Sequence, residues 1–303
     1  MRFGIDMGGT KIEIIALDDD GNEKLRERIA TDKESYDANV TNMAKLVKDA
    51  VSSVGEEGTV GIATPGSLSL ETGLLQGSNA TILNGKPIKE DLEAAMGQEI
   101  RIANDANCLA LSEATDGAAA GMPIVFAVII GSGVGGGLIV NGQIVTGANS
   151  ITGEWGHNSL PEATEREIKG RECHCGRPQC IEQWLSGNSF TSTFQGDVEG
   201  VDDEDLHAKL IVEAMRAGDD DAKVHFEKYV DRAARAFGSI INMLDPHAIV
   251  LGGGMSNVDE LYEAVPAVWN KYVFSEHVYT KLLKSKFGDS SGVRGAAWLW
   301  PKD

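Results

Sequence analysis

One histidine and three cysteines crowd into a short stretch of this chain. "GEWGHNSLP" carries His157, and "CHCGRPQCIE" carries Cys173, Cys175 and Cys180. One imidazole and three thiolates form the donor set of a closed, tetrahedral zinc site of the structural kind. The Cys-x-Cys opening is tighter than the spacing of a zinc finger, and His174 is a rival fourth ligand. A metal here would hold an irregular loop together, a contribution on the order of 10 kcal/mol. Glu154 precedes the set and Glu182 follows it. A rigid metal knot could aim both carboxylates at sugar hydroxyls, whereas solvated surface acids are the plainer alternative. Cys108 falls on an apolar helical stretch and reads as core.

A second chemistry lies in glycine turns that directly follow apolar strands. "IDMGGTK" ends a buried strand on Asp6, an acid that needs a cation or donors there. Gly8 and Gly9 let the chain bend and expose amides, while Thr10 and Lys11 add a hydroxyl and a positive charge. Such a set suits a polyphosphate with its magnesium ion. A capped hairpin turn with a solvated lysine is the alternative. "GSGVGGG", from Gly131 to Gly137, and "VLGGGMSN", with Gly252, Gly253 and Gly254, repeat the theme. Neither is a P-loop, since no Gly-Lys-Ser/Thr follows. The last reads as strand, turn and helix start, a place where anions dock. "RIANDANCLA" sets Asn104 and Asp105 between a strand and a helix. Asp105 is either an N-cap or a carboxylate at the edge of an α/β sheet, able to take a hydroxyl proton during phosphoryl transfer.

Regular elements must position these groups. Arg2 to Met7, Ile12 to Leu17 and Glu23 to Ala30 read as three strands separated by turns. Val125 to Ile130, Leu138 to Val140 and Ile144 to Val145 repeat that plan roughly 120 residues later, an internal echo. Between the copies, Asp37 to Val54 has helical spacing, "TVGIATPG" and "EIRIAND" read as strands, and "ANCLALSEATDGAAAG" as a helix. The apolar stripe from Phe226 to Leu244 predicts a long helix before the strand in "DPHAIVLGGG". "SSGVRGAAWLW" predicts a terminal helix returning to the first lobe.

The 303 residues carry 46 acidic and 27 basic side chains, a net charge of −19. That balance repels phosphate backbones and argues against general nucleic-acid binding. Much of the excess, in "VDDEDLH" and "GDDDAK", sits where acids complement helix N-termini. No apolar run approaches the roughly 20 residues of a membrane helix, and "MRFGIDMGGTK" is unlike a secretory signal. A cytoplasmic location is expected, with four cysteines favouring metal or thiol chemistry over disulfides.

Taken together, "GIDMGGTK", "ATPG", "NDANC", "GSGVGGG", "GEWGH", "CHCGRPQCIE" and "VLGGG" resemble, in order and over essentially the whole chain, the ROK family of sugar kinases and repressors. The resemblance implies an α/β chain with the two-lobed, actin-like (ribonuclease H-like) ATPase fold, an active-site cleft between lobes and a structural zinc site. Residues 1–118 with 290–303 would form the smaller lobe, and 119–289 the larger one with the zinc loop. Within the family the chain looks most like bacterial fructokinases of the manno(fructo)kinase type. The expected reaction is therefore ATP-dependent phosphorylation of D-fructose at its 6-hydroxyl. The alternative is an N-acetylglucosamine, glucose or mannose kinase of the same family, and remotely a non-catalytic sugar-responsive regulator.

Carried over by residue, the resemblance makes Asp105 the catalytic base and Asp6 the magnesium-positioning group. Gly8, Gly9, Thr10, Lys11, Gly131, Ser132, Gly133, Gly135, Gly136 and Gly137 would line the ATP phosphates, with Gly252 to Gly254 near the nucleoside. Ser67, Asn79, Asn104, Glu154, His157 and Glu182 would contact the sugar, His157 offering its other ring nitrogen to zinc. The expected partners are ATP, Mg2+, Zn2+ and a hexose, with a homodimer common in the family. A repressor would need a helix-turn-helix ahead of the kinase-like body, and here the phosphate hairpin starts at Arg2. Two departures stand out: Gln179 takes a place where the zinc motif often has glycine, and "NATILNG" lacks a tryptophan often found nearby.

Overall fold

A computed structural model describes residues 1–78, 80–169, 171–198 and 206–301; Asn79 and most of the acidic "VDDEDLH" lie outside them. In chain order the strands and α-helices are β1 (Arg2–Met7), β2 (Lys11–Leu17), β3 (Glu23–Ala30), α1 (Tyr36–Val54) and β4 (Thr59–Thr64). A two-residue pair, β5 (Ser67–Leu68) and β6 (Leu75–Gln76), precedes α2 (Ile88–Met96), β7 (Ile100–Asn104) and α3 (Asp105–Thr115). Then come β8 (Ile124–Ile130), β9 (Val134–Val140), β10 (Gln143–Ile144), α4 (Glu165–Ile168), α5 (Glu182–Leu185) and α6 (Gly187–Asp197). The chain closes with α7 (Ala208–Ala217), α8 (Asp220–Leu244), β11 (Ala248–Gly252), α9 (Leu261–Val268), β12 (Lys281–Lys284) and α10 (Ser291–Ala297).

The chain divides into two compact units. One comprises Met1–Gly121, Gly137–Thr152 and Lys286–Asp303, the other Met122–Gly136 and Gly153–Ser285. The expected lobe boundaries differ from this division chiefly at Gly137–Thr152, which groups with the first unit. The two sheets share one plan, as the internal echo suggested. The first has the order β3-β2-β1-β4-β7, with β3, β2 and β1 antiparallel and β1, β4 and β7 parallel. The second runs β10-β9-β8-β11-β12, with β11 parallel to both β8 and β12.

In the first unit, β1 alternates Phe3, Ile5 and Met7 into a core shared with Met43, Leu46 and Val47 of α1. The α1 helix starts where the Ser35 hydroxyl accepts the Ala38 amide, and stops at Gly55, whose φ of 74° no branched residue adopts cheaply. The acids of "GDDDAK" do what their position suggests: Asp219 caps α8 through the Ala222 amide, and Asp220 and Asp221 fill its first turn.

Against the other face of the first sheet lies α10, so the predicted terminal helix does return to the first unit. Backbone meets backbone there. A Cβ on Gly61 of β4 would sit 1.9 Å from the Ala296 carbonyl oxygen, and one on Gly295 would sit 1.7 Å from that of Cys108. Glycine is thus what lets α10 approach both β4 and α3.

One sequence expectation needs correction. The glycines of "GSGVGGG" do not form one long loop, because β9 begins at Val134 and Gly135, Gly136 and Gly137 are strand residues. Their smallness serves packing: a Cβ on Gly136 would meet the Ala127 oxygen at 2.9 Å and the Phe126 and Trp155 rings at 3.0 Å. The turn itself is only Gly131, Ser132 and Gly133.

Replacing Gly61 with alanine should lower the stability of the protein by about 1–3 kcal/mol through overpacking against α10. Chemical denaturation of the variant beside an exposed Gly9→Ala control, where a Cβ meets nothing within 4 Å, measures it.

Candidate active site and metal loop

Parallel strands end in register, and this brings the first set of site residues together. Asp6 pairs with Ala63 and Thr64 with Asn104, so the carboxyl ends of β1, β4 and β7 form one edge. Asp105 follows directly as the first residue of α3. It is not the cap. Asn104 takes that place, its side chain accepting the Ala106 amide at 2.9 Å and donating to the Gly66 oxygen at 3.2 Å. Asp105 is exposed at the edge, with one oxygen 2.7 Å from the Ala106 amide. The N-cap alternative for Asp105 is therefore set aside, since capping occupies Asn104.

Asp6 is mostly buried, and its carboxyl is pushed up from 3.8 to about 7. Burial is the main cause; the charges of Asp105 and Glu13 add to it, and Lys11 pulls back. An anion so poorly balanced fits an incoming cation, which is the chemistry expected of a magnesium-positioning group. The Gly8–Gly9 bend beside it is closed by the Gly8 amide donating to the Lys11 oxygen at 2.9 Å, while Thr31 holds Gly8 and Thr10 from β3's end. Lys11 leaves its ammonium half-exposed, 3.8 Å from Glu13.

Ser67 and Asn104 both line a cavity of about 630 Å3 within the first unit, shared with Thr64, Asn107, Leu111 and Ile144. That volume is in the range of small-molecule sites. Among the described residues, the buried Thr64 hydroxyl and Asn107 Oδ1 have no hydrogen-bond partner.

The second unit assembles the other set. The ligand atoms of His157, Cys173, Cys175 and Cys180 all lie within 4.8 Å of one another. Cys173 Sγ is 3.5 Å from His157 Nδ1, and Cys175 Sγ is 3.5 Å from Cys180 Sγ. Thiolate–zinc bonds of about 2.3 Å and imidazole bonds of about 2.0 Å suit donors at such spacings, so the residues present fit zinc. His174 points its Nδ1 at Glu182, 3.3 Å away, and lies 3.8 Å from Cys173 Sγ. His157 turns Nε2 outward, 4.0 Å from the exposed Glu154. Trp155 and Gly156 pin this segment, the indole donating to the Gly135 oxygen at 2.9 Å.

Among the nucleoside candidates, Gly252 ends β11 and Gly253 turns at φ 77°, with a would-be Cβ 2.6 Å from the Ile130 oxygen. The expected helix start is instead a short 3-10 turn, Gly254–Asn257, with α9 beginning at Leu261. Asn79 lies outside the described residues.

Sequence reasoning missed two buried ion clusters. Glu13, 1% exposed, is held by Arg26 and Arg28. Glu167 is held by Arg232 and Arg235: burial would raise its carboxyl, but the two guanidiniums override that and bring it to about 2. A signal for the first existed, since Glu13 interrupts the apolar run "KIEIIAL" opposite the basic "KLRER".

The family model described as "ROK family" matches residues 2–303. The chain belongs to the ROK family. Among curated relatives of this ROK chain, the N-acetyl-D-glucosamine kinase of Pasteurella multocida (strain Pm70) is 40% identical over 99% of both chains. That of Pectobacterium carotovorum subsp. carotovorum (strain PC1) is 37% identical over 99% of this chain and 98% of its own. The ROK hexokinase of Thermus thermophilus superposes with a TM-score of 0.85, at 26% identity over 98% of this chain and 96% of its own. A ROK family glucokinase from Streptomyces griseus, solved with glucose and AMPPNP, gives 0.76 at 25% identity, over 98% and 97%. The fructose preference expected from the sequence finds no support among these relatives.

Because the folded protein raises the Asp6 carboxyl, its contribution is full at low pH and is lost as pH rises from about 4 through about 7. Denaturation midpoints of the metal-free-buffer protein should fall over that window, and Asp6→Asn should flatten the fall. In the metal loop, Cys175→Ser should lose bound zinc by elemental analysis and several kcal/mol of stability; wild-type protein purified without zinc would remove the basis for it.

Proposed function

We propose that this ROK protein transfers the γ-phosphoryl group of ATP to the 6-hydroxyl of N-acetyl-D-glucosamine. The observation that carries the choice of acceptor is the set of N-acetyl-D-glucosamine kinases matching 99% of the chain at 37–40% identity. This reading replaces fructose with what the sequence had offered as the alternative.

Asp105 takes the hydroxyl proton as the sugar oxygen bonds to the γ-phosphorus. The bond from that phosphorus to the bridging oxygen breaks, and ADP departs with the electron pair. General-base help of this kind is worth roughly 10²–10⁴-fold. Asp105 is suited to it by exposure at the strand edge, fixed there by the Asn104 cap. Asp6 would hold magnesium, which neutralises phosphate charge when bound. The amides of Gly9, Ser132 and Gly133, with Thr10 and Lys11, would receive the phosphates at the bends that Gly8 and Gly131 close through their own amides, and Gly252 to Gly254 would lie near the nucleoside. Ser67, Asn104, Glu154, His157 and Glu182 would contact the sugar. His157, Cys173, Cys175 and Cys180 would hold zinc, which fixes the His157 ring and leaves its Nε2–H as an oriented donor.

The proposal includes a cytoplasmic, homodimeric protein. All four cysteines are free of disulfides, and among the described residues no helix is long and apolar enough to cross a membrane.

Asp105→Asn should lower kcat by about 10²–10⁴-fold with an unchanged melting midpoint. Coupled ADP-release assays over N-acetylglucosamine, glucose, mannose and fructose should give the highest kcat/KM for the first. Fructose ahead of the others would overturn the acceptor, and an active Asp105→Asn enzyme the base.

A further inference from the structure

The chain has 46 acidic side chains to 27 basic ones, yet one cavity of the second unit collects three cations. It measures about 570 Å3 and is lined by Glu165, Arg166, Lys169, Arg171, Trp184 and Thr193. Arg166 lies on α4 and Lys169 ends that helix, while Trp184 belongs to α5 and Thr193 to α6. Two of the cations are matched: Arg166 pairs with Asp197, and Lys169 with Glu165. Arg171 is not. Among the described residues it has no ion pair, and its hydrogen bonds use Nη1 alone, to the Ser192 hydroxyl at 2.6 Å and the Ser189 oxygen at 3.5 Å.

Two buried side chains on the cavity wall are also short of a partner. Trp184 and Thr193 are 3% and 1% exposed, and among the described residues the indole Nε1 and the threonine Oγ1 make no hydrogen bond. The Trp184 ring has two guanidiniums over it, Arg232 at 4.8 Å and Arg171 at 5.9 Å. Arg232 is committed to Glu167 at 2.7 Å, so Arg171 is the one left for a ligand. An indole N–H and a guanidinium can only donate. What this wall lacks is therefore an acceptor, and beside an unmatched guanidinium an anionic one. A phosphate dianion offers oxygens in several directions and suits the guanidinium fork. The volume is in the range of small-molecule sites, larger than one phosphate needs.

We propose that this cavity is a second small-molecule site, which binds a phosphate dianion, free or carried by a molecule of sugar size. Arg171, the Trp184 indole N–H and the Thr193 hydroxyl hold the phosphate oxygens. Arg166 and Lys169, with side chains 59% and 72% exposed, draw the anion in from solvent. None of these residues is among those assigned above to ATP, sugar or zinc. The inference therefore stands whichever sugar the protein phosphorylates.

The test follows the indole N–H signal of Trp184 by two-dimensional NMR of the full chain as purified, the signal being the one missing from Trp184→Phe. The titrants are N-acetylglucosamine 6-phosphate, glucose 6-phosphate, inorganic phosphate and neutral N-acetylglucosamine. The signal should move saturably with the phosphates and stay in place with the neutral sugar. Sugar phosphates that saturate it at about tenfold lower concentration than inorganic phosphate make a phosphosugar the occupant. Equal midpoints make it free phosphate. Arg171→Gln loses a charge-assisted hydrogen bond and should raise the midpoint about tenfold or more. Thr193→Val loses a neutral one and should raise it about fivefold. Both variants should keep the wild-type kcat in the ADP-release assay. If Arg171→Gln fails to fold, Thr193→Val decides. A signal that stays in place with every phosphate at millimolar concentration overturns the site. So does a signal that moves in both variants as in wild type, because the phosphate then binds elsewhere.

Discussion

Three parallel strands in the first unit end side by side and bring carboxylates to their shared edge, Asp6 among them with its charge poorly balanced. Asp6 lies one residue before the end of β1, Asp105 opens α3 beyond β7, and Glu13, itself paired with Arg26 and Arg28, lies on the neighbouring strand. Desolvating a carboxylate this way is unfavourable unless a cation arrives, and the raised Asp6 carboxyl records that imbalance. Much of the local architecture serves to hold this edge. The Asn104 cap fixes the start of α3, and glycine at Gly61 and Gly295 lets α10 back the sheet at close range.

Other buried carboxylates show the contrast. Glu13 and Glu167 each have two arginines, and Glu167 is held far toward its charged form. Paired in this way they are part of the scaffold, and removing one partner would strand a buried charge. Among the described residues, the cation that eases Asp6 is the half-exposed Lys11, which also lies 3.8 Å from Glu13. Strong pairing marks Glu13 and Glu167, whereas among the described residues Asp6 has no comparable ion pair. In the second unit Glu182 belongs to neither class, since its partners are a backbone amide and the edge of the metal loop.

Much of this was legible in the chain itself. Motif order pointed to the ROK family, the 2.0 and 3.6 periodicities found the main strands and the long α8 helix, and the histidine and cysteine spacing picked out four residues whose ligand atoms the fold brings within 4.8 Å of one another. What local pattern could not tell was which of two roles a residue takes. "GSGVGGG" reads as one glycine loop, yet only Gly131 to Gly133 bend, because Gly136 is small in order to clear Phe126, Ala127 and Trp155. Asn104 and Asp105 are equally good caps by residue type; the register of β7 gave the cap to Asn104 and made Asp105 the first residue of α3.

The sequence alone determined the elements, the donor types and the kind of chemistry, since these follow from side-chain identity and short-range spacing. Tertiary structure decided the pairings: Glu13 with Arg26 and Arg28, Glu167 with Arg232 and Arg235, and Glu182 with the Val134 amide. Each joins groups separated along the chain or across strands, and no periodicity encodes which distant donor a buried carboxylate will meet. That choice is made by packing, which brings a buried acid and its partner out of water together.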